Sequence, residues 1–419
     1  MPQTTTTNRI AFIDPSGQVG TVAPDGGDLR MMTSGERVFQ FPAWASDNKA
    51  IAVIGSTEHD AGIYVVPEQN SLSTPTVHQV YRSHTQPPIY LSWSPDNRVI
   101  SFLAIHPIRK LALYLTSSTG LLPVTQNSKP VLTGQPCFWQ WQTDSSGFFV
   151  HVDLGRENAR LAFVKLLDGK SQIGETMITD LSVRPGHFQA PGLSLDGRYW
   201  AYAEKHRSFD QSRLVVESQA GKQLLVDYQG IAALTWSPVA AQLAFIHPTP
   251  AAQHIYGPIH LWDAVSGVVQ PLTEENTLAF FWSPDGQKMA YLTLDTQPQH
   301  PMLTTPNFTT NGRFIGNWPF MDPDLAQERS EALRLALHVV DIQSGRSKII
   351  SVFEPWTLFV NQFLPFFDQY ALSHRIWSPA SDALVIPMVK GNKMQIYVVP
   401  IDGGPAKPIV EGMMATWSW

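Results

Sequence analysis

The sequence is poor in several features that would indicate particular classes of protein. It contains a single cysteine, Cys137, which excludes an internal disulfide and suits a reducing compartment or a thiol-poor exported protein. Charged residues make up only 15% of the chain, the net charge is −6, and Lys and Arg form no basic run. We therefore expect no nucleic-acid partner and no attraction to an anionic membrane surface.

Long hydrophobic runs are missing too. No apolar stretch reaches the roughly 18 residues that a membrane-spanning helix needs. Residues 1–12 contain neither the basic segment nor the apolar core of a signal peptide. We expect a soluble, cytoplasmic protein without membrane insertion, although an exported chain whose signal peptide had been removed would give the same pattern.

Familiar catalytic and cofactor motifs are also absent. The sequence has no G-x-S-x-G nucleophile elbow, no HExxH, no CxxC, no P-loop and no Gly-rich dinucleotide fingerprint. Asp-Gly and Asp-Asn pairs do occur, but these pairs are typical of turns. We therefore assign no catalytic residues and favour a protein that is not an enzyme.

What the sequence does contain is one pattern repeated along its length, clearest in residues 280–292, FFWSPDGQKMAYL. An apolar run ends in Trp282, the residues SPDG suit a type I turn, and a second apolar run follows, which predicts a β-hairpin. The residue at the Trp282 position recurs in each copy as Trp44, Trp93, Trp141, Leu193, Trp236, Trp282, Trp377 and Trp417.

The spacing of these key residues predicts the fold. Successive copies lie 49, 48, 52, 43, 46, 95 and 40 residues apart. A period of about 40–50 residues with four short strands is typical of a β-propeller blade. Residues 413–419 resemble one inner strand and residues 8–33 resemble the other three. We predict an all-β, eight-bladed β-propeller of four-stranded blades, a single domain over 1–419, in which the two ends of the chain share one blade and leave no open sheet edge.

The 95-residue spacing marks one irregular blade. An insertion at about 295–331 and a long connection at 353–373 account for it better than a ninth blade, because no WSPDG-like hairpin lies between them. Aromatic residues are frequent in both segments. They predict either a contact surface beside a lid or a satellite core beneath a long loop, and the sequence leaves both open.

The WSPDG turn, the apolar strand after it, and the later IYVVP and DGG segments together resemble the TolB-like propeller repeat. This repeat also occurs in the propellers of the prolyl-oligopeptidase and dipeptidyl-peptidase class, and here it would form a propeller without a hydrolase domain. The resemblance covers nearly the whole chain apart from the insertion and the connection. It is specific for fold, because such propellers serve as docking platforms, peptidase gates and lyase scaffolds.

The same resemblance suggests a metal site. The oligogalacturonate lyases, which are TolB-like propellers, hold a divalent metal with several histidines and a glutamine. Histidine is an ordinary ligand for such a metal. Carried over to this sequence, the resemblance gives His187, Gln189 and His374 as candidate ligands. No other cofactor is expected.

Candidate ligand-binding residues lie near one predicted mouth of the channel. Most of the 13 histidines fall on the face where the inner strands begin, either because loops are polar or because this is the working face. His374 and Arg375 stand at the entrance of an inner strand, where side chains can point into the channel. The full candidate set is His374, Arg375, His187, Gln189, Gln140, Trp318, Phe320 and Trp356.

From these observations we predict a monomeric binding scaffold that recognises a protein, peptide or saccharide ligand at the loop face and channel mouth. Two alternatives remain open at this point. One is a metal-dependent lyase or hydrolase that acts on a sugar-type substrate. The other is a propeller that works with a separately encoded peptidase.

Overall fold

The computed structural model describes residues 8–68, 76–108, 110–120, 129–153, 159–167, 175–187, 190–206, 211–250, 256–295, 333–391 and 393–418. Over these ranges the chain forms eight antiparallel sheets that follow one another as the blades of a propeller. The predicted eight-bladed, all-β fold is confirmed, with one short helical segment between the sixth and seventh blades.

The first four blades follow in chain order, with strands given from the channel outwards. Blade 1 consists of Val38–Trp44, Ala50–Ser56, Ala61–Pro67 and His78–Ser83. Blade 2 consists of Pro88–Trp93, Val99–His106, Lys110–Ser117 and Leu132–Thr133. Blade 3 consists of Cys137–Trp141, Gly147–Val152, Arg160–Leu166 and Thr176–Asp180. Blade 4 consists of Gly192–Leu193, Tyr199–Lys205, Ser212–Ser218 and Gly221–Tyr228.

The remaining blades complete the ring. Blade 5 consists of Leu234–Trp236, Gln242–Ile246, Ile259–Asp263 and Val269–Pro271. Blade 6 consists of Ala279–Trp282, Lys288–Leu294, Leu335–Asp341 and Ser347–Phe353. Blade 7 consists of Ala383–Lys390, Lys393–Pro400 and Lys407–Glu411, with an inner position held by a bridge between Trp377 and Leu384. Blade 8 consists of Met413–Trp417, Ile10–Ile13, Val19–Val22 and Arg30–Met31.

The first hairpin of most blades turns on a residue in the left-handed backbone region. Gly286 of the WSPDG turn has φ of 66°, where glycine carries no Cβ penalty. The turn serine is equally structural, because Ser283 Oγ donates to Asp285 Oδ1 at 2.6 Å and accepts the Lys288 N–H at 2.9 Å. The same φ, between 57° and 67°, recurs at Asn48, Asn97, Ser145, Gly197 and Ser381.

The ring closes through the two ends of the chain, as predicted. Ile10 pairs with Trp417 and Ile13 with Met413 in antiparallel register. The Arg9 N–H donates to Ser418 Oγ at 2.9 Å. Blade 8 is therefore a composite of both ends of the chain.

The key tryptophans pack between blades, and they also join neighbouring blades by a hydrogen bond. Trp44 and Trp377 are only 2% and 1% exposed. In each case below, the indole N–H donates to the carbonyl of the residue just before the key position of the preceding blade. The bonds are Trp44 to Thr416 (3.2 Å), Trp93 to Ala43 (3.0 Å), Trp282 to Thr235 (3.3 Å) and Trp377 to Phe281 (3.0 Å).

The irregular sixth blade is where the sequence places the insertion. Its second and third strands pair up to their ends, with Leu294 opposite Leu335, so the chain leaves and re-enters the sheet at one point. The insertion itself, residues 296–332, lies outside the described residues, together with Trp318 and Phe320. Nowhere in the described ranges is a helix long and apolar enough to cross a membrane.

Candidate functional site

The connection between blades 6 and 7 folds into a compact helical segment, residues 356–373, which we call the plug. It contains a π-helical turn at Phe359–Phe363, a 3-10 turn at Leu364–Phe366 and an α-helical turn at Phe367–Tyr370. Pro365 suits the second position of a short helical turn, where its missing N–H has no partner to lose. The chain then leaves the plug with the His374 N–H donating to the Tyr370 carbonyl at 2.7 Å.

Hydrogen bonds tie the plug to the inner strands of blades 2 and 3. Gln369 Oε1 accepts the Trp139 N–H at 2.8 Å, and Gln369 Nε2 donates to the Trp139 carbonyl at 2.9 Å. The Tyr90 hydroxyl donates to the Gln369 carbonyl at 2.8 Å. A side chain amide from the plug thus supplies the backbone partner that an inner strand otherwise lacks on its channel edge.

Asp368 ties the plug to the entrance of blade 4. Its two carboxylate oxygens accept the N–H groups of Ala190 at 3.2 Å and Gln369 at 3.0 Å. The side chain is buried, and burial raises the pKa of Asp368 from its ordinary value of 3.8 to about 6, against the lowering effect of these backbone donors.

Aromatic side chains of the plug also pack on side chains of other blades. Tyr370 stacks on Phe41 of blade 1 with ring centroids 5.6 Å apart, and Phe363 stacks on Phe281 of blade 6 at 5.9 Å. Trp356 is 7% exposed and belongs to the hydrophobic cluster of blades 1 and 8. The plug therefore closes the mouth of the channel where the inner strands begin, and its aromatics form a satellite core, the second of the two predictions from sequence.

Beneath the plug lies a small apolar cavity of about 50 Å³. Its walls include Phe41, Phe281, Trp356, Met414 and His374. His374 is 6% exposed, its Nδ1 lies 2.9 Å from Ser373 Oγ, and its Nε2 has no hydrogen-bond partner among the described residues. Burial lowers the pKa of His374 from 6.5 to about 4, so the imidazole is neutral at pH 7.

The surroundings of His374 do not fit a divalent metal. The other side chains that line the cavity are hydrocarbon, aromatic or thioether groups. Within the described ranges, no group of three or more His, Cys, Asp and Glu side chains is arranged to hold a metal ion. The metal site stays a prediction from resemblance, and these residues give it no support.

A larger, polar pocket of about 240 Å³ lies in the channel on the far side of the plug. It is formed by the ends of the inner strands of blades 1 to 3 and by the chain that leaves the plug. Ser46 and Pro95, which belong to the first-hairpin turns and are exposed, place its opening on the face opposite the plug. The lining residues are Trp44, Ser46, Ser92, Trp93, Ser94, Pro95, Trp139, Gln140, Trp141, Leu372, Ser373 and Arg375.

Arg375 is the one charged side chain among the described residues of this pocket. Its backbone is fixed to blade 8, because its N–H donates to Thr416 Oγ1 at 3.1 Å and its carbonyl accepts the Trp417 N–H at 2.7 Å. The side chain is partly accessible but surrounded by the channel walls, and this burial lowers the pKa of Arg375 to about 10. The guanidinium remains charged at pH 7.

Gln140 lines the same pocket and also joins two blades by hydrogen bonds. Its Nε2 donates to the Leu193 carbonyl at 3.0 Å, and its Oε1 accepts the Leu193 N–H at 2.8 Å. The amide thereby joins the inner strand of blade 3 to the short inner strand of blade 4. Blade 4 carries a leucine at the key position, and Gln140 gives it a polar link to blade 3.

The structure separates the residues that the sequence grouped together. Arg375 and Gln140 share the polar pocket, whereas His374 and Trp356 line the apolar cavity. His187 is exposed on a loop, with Nδ1 2.9 Å from the Gly230 carbonyl, and Gln189 lies outside the described residues. The ligand-binding roles of these residues stay predictions. For Trp356, burial does not favour such a role.

Several pocket residues were missed from sequence, chiefly the indoles of the key tryptophans, Ser373 and Leu372. The tryptophans were assigned to packing between blades, and a ring as large as indole can do this and still present one edge to the channel. Leu372, 38% exposed, could have been noticed as an apolar residue next to a candidate arginine.

Two solved structures with TM-scores of 0.52 support the fold, and the comparisons leave the function open. No family model and no curated protein matches this chain. A structure described as the eukaryotic initiation factor aligns over 98% of both chains, with a TM-score of 0.52 and 12% identity. A prolyl endopeptidase structure aligns over 92% of this chain and 50% of its own, with a TM-score of 0.52 and 10% identity. TolB from Acinetobacter baumannii aligns over 87% of this chain and 81% of its own, with a TM-score of 0.39 and 14% identity.

Proposed function

We propose that this chain is a binding scaffold and that its ligand enters the polar channel pocket from the face opposite the plug. The observation that carries the proposal is the position of Arg375, a charged side chain held in a cavity of about 240 Å³ among indole rings and serine hydroxyls. Pockets that combine aromatic walls with a few fixed polar groups are typical of ligand sites. The ligand would be part of a protein, a peptide or a saccharide.

The residues of the pocket favour binding over catalysis. Lining it are hydroxyl, amide, indole and guanidinium groups, and no Asp, Glu or His among the described residues. General acid–base catalysis needs a group that can gain or lose a proton near the working pH. Arg375, with its pKa held at about 10, does not do this at pH 7.

The surrounding structure gives the pocket a fixed shape. The wall at Trp139 is bonded to the plug through Gln369, and the wall at Gln140 is bonded to blade 4. Trp44 and Trp93 are each bonded to the preceding blade. A pocket whose walls are already ordered loses less conformational entropy when a ligand binds.

A panel of short peptides and oligosaccharides tests this proposal, with binding measured by thermal shift and then by titration calorimetry. Every hit is measured again on Arg375→Gln and on Arg346→Gln, which removes the same charge from an exposed turn of blade 6. We expect at least one hit whose affinity falls about tenfold or more in Arg375→Gln and is unchanged in Arg346→Gln. Hits that bind both variants equally, or no hit at all, would overturn the proposal.

A further inference from the structure

Resting on the proposed binding role, we infer that the group which enters the polar pocket is an aromatic side chain of a peptide or protein partner. The first reason is that the indole N–H groups of the pocket are used within the protein. Those of Trp44 and Trp93 donate to carbonyls of neighbouring blades at 3.2 and 3.0 Å. Those of Trp139 and Trp141 both donate to Ser101 Oγ, at 2.9 and 2.8 Å. All four indoles therefore present ring atoms to a ligand.

Most of the other polar side chains of the pocket are also bonded within the protein. The Gln140 amide is bonded at both of its ends to the backbone of blade 4. Three of the four serine hydroxyls have partners as well. Ser46 Oγ donates to a main-chain carbonyl at 2.7 Å, Ser94 Oγ donates to a carboxylate at 2.7 Å, and Ser373 Oγ lies 3.0 Å from a tyrosine hydroxyl of blade 2. Arg375 interacts with other groups of the chain too.

This use of the polar groups favours an apolar occupant over a saccharide. A sugar ring can lie on an indole, but each hydroxyl that it brings into the pocket loses its water partners and needs new ones. A buried polar group without a partner weakens binding. A hydrocarbon ring needs no partner and gains from leaving water.

The second reason is the apolar surface that the pocket still offers. Pro95 is exposed at the opening, Trp93 is half-buried, and Leu372 is 38% exposed. Aromatic rings pack on one another in offset-stacked or edge-to-face arrangements, which stabilise them beyond the area that they bury. Aromatic side chains inserted into pockets also carry much of the binding energy in protein interfaces. An aromatic ring therefore suits this surface.

The third reason is the size and the rim of the pocket. Its volume of about 240 Å³ corresponds to roughly eight water molecules at about 30 Å³ each, which is the size of one aromatic side chain. The turns that carry Ser46 and Pro95 also carry Asp47 and Asp96, both exposed. A polar rim around a buried anchor is typical of an interface with a protein or peptide. The side chain would enter the pocket while its backbone stays at the rim.

Uncharged probes test the inference, because they keep the charge of the ligand constant. N-acetyl-phenylalaninamide and N-acetyl-alaninamide differ only in the phenyl ring, and methyl β-glucoside represents a saccharide. Affinities are measured by titration with ligand-observed NMR. We expect the phenylalanine compound to bind wild type about tenfold more tightly than either of the others.

Three results would overturn the aromatic side chain. They are equal affinity of the phenylalanine and alanine compounds, tighter binding of the glucoside, and no binding by any of the three probes. A glucoside or another hit whose affinity depends on Arg375 would still satisfy the proposed binding role, so the two proposals fail separately. This comparison uses wild type and does not depend on the folding of a variant.

Two further arms locate the site and its source. Leu372→Asn should weaken the phenylalanine compound about threefold or more, whereas Ile231→Asn, at a 42% exposed position outside the pocket lining, should not. Equal effects of the two variants would contradict binding in this pocket. The peptide acetyl-Gly-Phe-Gly-amide should bind at least as tightly as N-acetyl-phenylalaninamide, because its backbone reaches the rim. Weaker binding would overturn a peptide partner and indicate a free aromatic compound.

Discussion

Gln369 pairs with the backbone of Trp139 as a neighbouring strand would, accepting its N–H at 2.8 Å and donating to its carbonyl at 2.9 Å. The two residues are 230 positions apart in the chain. This pair, with the Tyr90 hydroxyl beside it, fixes the plug across one mouth of the channel. Under the proposed binding role, this leaves the opposite face for a ligand to enter the polar pocket.

Replacing Gln369 with leucine should destabilise the protein strongly. The substitution leaves the buried N–H and carbonyl of Trp139 without their partner, and each unsatisfied buried group costs about 1–3 kcal/mol. We expect a loss of about 2–4 kcal/mol in the free energy of unfolding by urea denaturation. Asn361→Leu, at an exposed position of the same plug, is the control and should change little. Similar losses for the two variants would refute the pairing.

The bonds between key tryptophans and preceding blades can be measured against an internal control. Trp44→Phe removes the indole donor to the Thr416 carbonyl at the seam of the ring. Trp236→Phe removes an indole of similar burial whose Nε1 has no hydrogen-bond partner in the described part of the chain. The first variant should lose about 1 kcal/mol more than the second in urea denaturation, the usual net worth of a hydrogen bond. Equal losses would mean that the indole hydrogen bond adds no stability beyond that of packing.

The eight-bladed ring and its closure could be predicted because each blade carries its own local pattern, a tryptophan, a turn and alternating apolar strands. The plug could not. Residues 353–373 have no repeat to be compared with, and their contacts are with Phe41, Tyr90, Trp139 and Phe281, which the ring brings together from distant parts of the chain. Placing Arg375 in the channel followed from its position at an inner strand. The sequence could not show that Arg375 and His374 line different cavities, because this depends on the direction in which each side chain points.

Asp368 should give the protein a measurable dependence of stability on pH. Its pKa is about 6 in the folded protein and 3.8 when exposed, so between these values the folded state holds a proton that the unfolded state has lost. The contribution of Asp368 to the free energy of unfolding therefore falls as the pH rises from about 4 to 6, by on the order of 2 kcal/mol. Asp368→Asn should remove this fall and stabilise the protein at pH 7. A variant with the same pH profile as wild type, by chemical denaturation, would contradict the buried carboxylate.

His374 should act in the opposite direction over the same range. Its pKa is about 4 in the folded protein against 6.5 when exposed, so the unfolded state takes up a proton first as the pH falls. The contribution of His374 to the free energy of unfolding therefore falls as the pH drops from about 6.5 to 4. In Asp368→Asn only the effect of His374 remains, so the free energy of unfolding should decrease as the pH falls below 6. In His374→Leu only the effect of Asp368 remains, so the free energy of unfolding should increase over the same range. Slopes of the same sign in the two variants would exclude this pair of opposed groups.

The most direct test of the account is whether the polar pocket beside Arg375 is open. Cys137 is 2% exposed and burial raises the pKa of its thiol to about 12, so the wild-type protein should not react with N-ethylmaleimide under native conditions. Leu372→Cys places a thiol at a 38% exposed position in that pocket. Mass spectrometry should show rapid labelling at position 372, slowed by any ligand that depends on Arg375. A thiol at 372 as unreactive as Cys137 would contradict the open pocket and, with it, the proposed site.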